Sequence, residues 1–169
     1  MKSLLISCCL AIAMLFLQST WLSHGIFLGI IPNLSLAVIL FASFLNKDGQ
    51  GIIVAFLSGL AADMMSSAPL GYFAFLFSVC AYITTLLSYI TEKDFFIIPF
   101  LFGSGSTIAI GILSKILQFV FSSSIRSYEI FSAEFGVEVV LNGLSTALIF
   151  FVLSFVRGFF EHRPKKAIP

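Results

Sequence analysis

Three ionisable side chains sit inside long apolar stretches of this chain: Asp63, Lys115 and Glu138. A charge inside a membrane costs at least about 2.5–3.5 kcal/mol near the centre, so each must pair, accept backbone N–H groups or serve a function. Asp63 lies in the stretch Phe56 to Gly71, FLSGLAADMMSSAPLG, close to the turn Met64 to Pro69. Pro69 suits the first turn of a following helix, and a carboxylate there can accept N–H groups from that helix start. Asp63 therefore either fastens a hairpin or contributes to a ligand or partner site, and spacing leaves both open. A capping role asks for an acceptor oxygen, so Asp63→Asn is expected to fold almost normally. Lys115 and Glu138 fall at similar depth on adjacent antiparallel segments and are expected to pair, since an unpaired buried charge is strongly destabilising.

No grouping for covalent, metal or phosphoryl chemistry accompanies these charges. The chain has no Gly-rich phosphate loop, nucleophile elbow or metal-spaced histidine pair, and His24 and His162 are far apart. Cys8, Cys9 and Cys80 lie in apolar runs with neither metal nor disulfide spacing and are expected to be apolar fillers. An enzyme is the least favoured class, and no cofactor or metal is expected.

The elements that position these residues follow from composition. Of the 169 residues, 59% are hydrophobic and 10% charged, and mean hydropathy is +1.10. Soluble domains are about 45–50% apolar and about 25% charged. Lipid is the expected solvent. The net charge of +1 suggests no nucleic-acid partner. Only a few apolar residues precede Cys8, too few for a signal-peptide core of roughly 7–15, so the first run is expected to be an uncleaved span.

Six apolar segments are expected to be transmembrane helices, at about 3–22, 27–45, 51–65, 69–90, 95–121 and 135–160, with a basic tail over 161–169. They exceed the roughly 9–11 residues of a barrel strand and do not alternate in polarity. The expected fold class is all-α: a polytopic integral membrane protein with six transmembrane helices in one compact bundle and one domain. Lys2, Lys47, Lys93, Arg157, Arg163, Lys165 and Lys166 share one side, against Arg126 on the other. That bias places both termini in the cytoplasm, and the tail can also touch anionic lipid headgroups. Small and polar residues at steps of three and four mark inward faces. Such stripes are Gly51, Ala55, Gly59 and Asp63 in the third segment, and Gly71, Ala74, Ser78, Ala81, Thr85 and Ser88 in the fourth. The fifth shows Ser104, Thr107, Gly111, Lys115, Gln118 and Ser122, and the sixth Glu134, Glu138, Asn142 and Ser145.

The order PNL at Pro32 to Leu34, an apolar run, a short charged loop, FLSGLAAD at Phe56 to Asp63 and PLGYFAF at Pro69 to Phe75 resembles the rod shape-determining protein MreD family. The specific resemblance covers roughly Pro32 to Phe75. It implies a fold similar to the substrate-binding components of energy-coupling-factor vitamin transporters. It also implies a non-enzymatic role in the bacterial inner membrane, in the elongation complex that directs lateral peptidoglycan synthesis. The implied partners are an MreC-like periplasmic coiled-coil protein, the actin-like MreB, an elongation glycosyltransferase and a transpeptidase. The family-like positions are Pro32, Asn33, Gly59, Asp63 and Gly71; Lys115 and Glu138 rest on the charge argument alone. The alternative is a vitamin-binding transporter component using an outer-half polar cluster as its cavity. Its short outer loops and the absence of a clear small-residue docking motif disfavour it.

Overall fold

The computed structural model describes residues 2–20, 30–46, 48–91, 96–121 and 132–156. Their regular structure is helical: α1 Lys2–Thr20, α2 Leu34–Leu45, α3 Gln50–Met65, α4 Tyr72–Leu87, α5 Ile97–Phe121 and α6 Ala133–Ser154. Lys47, Lys93, Arg126, Trp21, Ser122 and the residues from 157 onward lie outside the described residues, and with them most of the expected charge asymmetry.

Each boundary has a local cause. Pro32 lacks an N–H, and Asn33 caps α2 by accepting the Leu36 N–H on its side chain at 3.0 Å. Asn46 closes α2 by donating its Nδ2 to the Ala42 carbonyl at 3.1 Å. Gly49, at φ +80°, turns the chain into α3. At the next turn Gly71, at φ +95°, leads into α4. Ser132 caps α6 by accepting the Phe135 N–H at 3.1 Å.

α2 is the centre of the bundle. It packs against the other five helices, and ten of its twelve residues are buried. Phe41 and Phe44 on α2 meet Phe150 on α6 with ring centroids 5.1 and 5.8 Å apart, and Phe102 on α5 completes that aromatic centre. Two ends can be distinguished. Ser3 on α1 donates to Gln50 at the start of α3, at 3.0 Å, at one end. At the other end Gln18, late in α1, accepts the Leu34 N–H at 2.9 Å. α1 and α3 thus start at one end of the bundle and α2 at the other.

Of the six expected spans, all six form helices, and α1, α5 and α6 are long and apolar enough, by length and composition, to cross a membrane. α2 has 12 residues and α3 and α4 have 16 each, or about 18 and 24 Å at 1.5 Å per residue. The hydrocarbon layer is about 30 Å thick. α2 is short because Pro32 and Asn33 hold its start at Leu34, well inside the apolar run expected from residue 27.

Candidate functional site

The stripe on α3 explains the opening carboxylate. Gly51, Ala55, Gly59 and Asp63 are all buried. A Cβ at Gly59 would stand 2.6 Å from the Ala74 nitrogen and 2.7 Å from the Phe73 carbonyl oxygen, so α3 and α4 touch backbone to backbone there. One turn further along α3, Asp63, 2% exposed, reaches the first turn of α4. Its Oδ2 accepts the Gly71 N–H at 2.8 Å and its Oδ1 accepts the Phe73 N–H at 2.7 Å. A longer contact from the Ala74 N–H, at 3.4 Å, falls on Oδ2. The helix-start groups that would otherwise lack partners are thus satisfied from the neighbouring helix. Gly59 permits the approach that lets Asp63 make these bonds. Of the two roles open from spacing, the structure displays the fastening one. It also revises the expectation for asparagine: both carboxylate oxygens are engaged, and an amide has one acceptor oxygen.

Beside this hairpin lies a cavity of about 420 Å³. Leu36, Phe73, Phe77 and Ile110 form its apolar wall, and Asn33, Thr107, Ser114, Glu138 and Asn142 its polar wall. Ser66, Ser67 and Ala68 of the α3–α4 turn border it. A hydrogen-bond chain holds the polar wall. Asn142 Oδ1 accepts the Asn33 main-chain N–H at 2.7 Å, and its Nδ2 donates to Thr107 Oγ1 at 3.1 Å. Thr107 in turn donates to the Gly103 carbonyl at 2.9 Å. Across the cavity Tyr72 donates its hydroxyl to Ser114 at 2.8 Å. One amide therefore ties α2, α5 and α6 together at the cavity floor. A site of this size and mixed lining suits a small amphipathic ligand.

The expected residues divide into three groups. Asn33 and Glu138 line the cavity. Pro32, Gly59, Asp63 and Gly71 stand behind its wall, where they set the starts of α2 and α4 and so place Asn33, Tyr72 and Phe73. Lys115 is exposed on α5, off the inward face expected for it. The cause is helical phase. Ser114 is seven residues past Thr107 and returns to within about 20° of it, whereas Lys115, eight past, stands about 80° off. Ser114, 1% exposed, takes the inward position.

Asn142, Thr107 and Tyr72 line the cavity beyond the expected set, and Gln18 holds the start of α2 beside Asn33. Asn142 and Thr107 carried a signal, as members of inward stripes. Gln18 offered only its place near the end of an apolar run.

A family model described as rod shape-determining protein MreD matches residues 1–159 of the chain. No curated protein and no solved structure matches it.

Proposed function

The chain belongs to the rod shape-determining protein MreD family, and from that premise we propose that it is a non-enzymatic membrane component of the bacterial cell-elongation complex. In this reading it supports lateral peptidoglycan synthesis through protein contacts in the inner membrane, with both termini in the cytoplasm. An MreC-like periplasmic coiled-coil protein is its first partner. MreB, an elongation glycosyltransferase and a transpeptidase are the further members. The family match over nearly the whole chain carries the reading. The hairpin lock at Gly59 and Asp63 and the amide bridge at Asn142 support it, because they hold a fixed surface rather than a reacting centre. With the Lys-rich side in the cytoplasm, the cavity opens toward the outer face.

Depletion in the native host tests this. Cell width should become irregular while uptake of labelled vitamins at the same depletion stays normal. Normal width with a specific uptake defect would overturn the proposal. That result would favour the second reading, a substrate-binding component of a vitamin transporter, for which the cavity of about 420 Å³ is the supporting observation.

A further inference from the structure

A buried donor without an acceptor is unfavourable, and more so where lipid surrounds the protein. The cavity beside the α3–α4 hairpin gathers spare donors from three elements. Asn33, at the start of α2, uses its Oδ1 on the Leu36 N–H, and its Nδ2 has no partner among the described residues. Asn142, buried on α6, gives one Nδ2 hydrogen to Thr107 and holds a second. Ser114, buried on α5, receives the Tyr72 hydroxyl, and its own hydrogen goes to no described acceptor. Thr107, by contrast, is complete, since it receives from Asn142 and donates to Gly103. Asn33, Asn142 and Ser114 all line the cavity.

The α4 wall is aromatic. Tyr72 and Phe73 stand edge to face with ring centroids 5.0 Å apart, and Phe77 is 5.8 Å from Phe73. Such a wall favours a flat apolar face laid against it or an edge pointed at it. The charge of the occupant follows from the donors. Anions are held by cations or by open helix starts. No Lys or Arg lines the cavity among the described residues. The helix starts beside it are already engaged. Asp63 takes the Gly71 and Phe73 N–H groups, and Asn142, Gln18 and Asn33 take those of Asn33, Leu34 and Leu36. What remains is a set of neutral N–H and O–H donors, suited to carbonyl or hydroxyl oxygens.

We propose that the cavity binds a small neutral molecule with a flat apolar ring and carbonyl or hydroxyl oxygens on its edge. The oxygens accept from Asn33 Nδ2, Asn142 Nδ2 and Ser114 Oγ, and the ring lies against Phe73 and Phe77. The same chemistry can arrive from water or from the bilayer. Binding alone is at issue, so this stands apart from the shape-complex reading.

The test uses Ile110→Cys, a cavity position, in the Cys-free full chain in mild detergent. Leu148→Cys, on the exposed side of α6, is the control. Labelling by a small thiol reagent is timed with and without a probe. The probes are benzamide and its membrane-partitioning form 4-octylbenzamide, with benzoate and benzylamine as charged molecules of similar shape. A fragment of this size binds at about 1 mM. At about 10 mM, benzamide should therefore slow labelling of Ile110→Cys about tenfold and leave Leu148→Cys unchanged. Protection by benzamide supports a water-borne ligand, and protection by 4-octylbenzamide alone supports one from the bilayer. Asn33→Asp keeps an oxygen for the Leu36 N–H but removes the Nδ2 donor, and should cut protection to about threefold or less. Ser114→Ala is the second loss arm if Asn33→Asp does not accumulate as folded protein. No labelling of Ile110→Cys without probe, protection by neither amide, or equal slowing at Leu148→Cys would overturn the inference. So would equal protection by benzoate or benzylamine, or protection that survives in both Asn33→Asp and Ser114→Ala. Neither cell width nor vitamin uptake enters the readout, so this result and that of the depletion experiment are separable.

Discussion

Truncating Asp63 tests the hairpin lock. Asp63→Ala removes the acceptor of two short bonds, from the Gly71 and Phe73 N–H groups, and of the longer contact from Ala74. A hydrogen bond to a charged group contributes about 1.5–3 kcal/mol, and truncating a helix cap costs about 0.5–2 kcal/mol. The freed donors lie next to the cavity bordered by Phe73 and Ser66, where water can replace part of the loss. The expected destabilisation is about 2–5 kcal/mol. Asp63→Asn keeps one short bond and turns an amide N–H toward the other donor, which gives a loss of about 1–3 kcal/mol. Both can be read as the shift of the unfolding equilibrium in mixed micelles of mild detergent and dodecyl sulfate. For alanine the unfolded-to-folded ratio should rise by roughly 30-fold or more. If Asp63→Ala unfolds like the parent chain and loses only a partner or ligand, the capping argument is wrong. If asparagine matches the parent, one of the two short bonds is energetically empty.

Gly59→Ala should destabilise by about 1–3 kcal/mol in the same assay, because its Cβ meets α4 backbone rather than a movable side chain. Gly105→Ala, in open space, should be neutral or stabilising by up to about 1 kcal/mol, and a loss there would contradict the exposed placement. Lys115→Met and Glu138→Gln should have additive effects on thermal aggregation, and a coupling above about 0.5 kcal/mol would mean that the two residues interact after all. Cysteines placed at Ser124 and at Lys166 in a Cys-free background should label differently in spheroplasts. An impermeant thiol reagent should reach Ser124→Cys only, and the reverse pattern would invert the topology.

Much of the fold was legible because lipid simplifies the signal. Apolar runs gave six helices near their expected places, and the inward stripe of α3 was read correctly from Gly51 to Asp63. On α5 two successive steps of four, Thr107 to Gly111 to Lys115, each overshoot one turn by about 40°, so the drift put Lys115 on the expected inward face in place of Ser114. The capping of α4 was visible as one of two options because donor and acceptor are close in the chain. The bond between Asn33 and Asn142 was not, since 109 residues separate them and no local pattern couples the two. The Pro32–Asn33 pair was legible as an interruption able to begin a helix, and α2 starts at Leu34 directly after it.

The short central helix also sets an order in time. The start of α2 relies on Asn142 of α6 to accept the Asn33 N–H. With synthesis running at about 5–20 residues per second, the amide arrives roughly 5–20 s after the group that requires it. Until then α2 has been made but its entrance lacks its distant acceptor, and α5 has no Asn142 side chain to receive on Thr107. The centre of the bundle is therefore closed by its last helix. A ribosome stalled before α6 leaves five helices around an unfinished middle, a form that membrane proteases should recognise and that lengthening the loops would not repair.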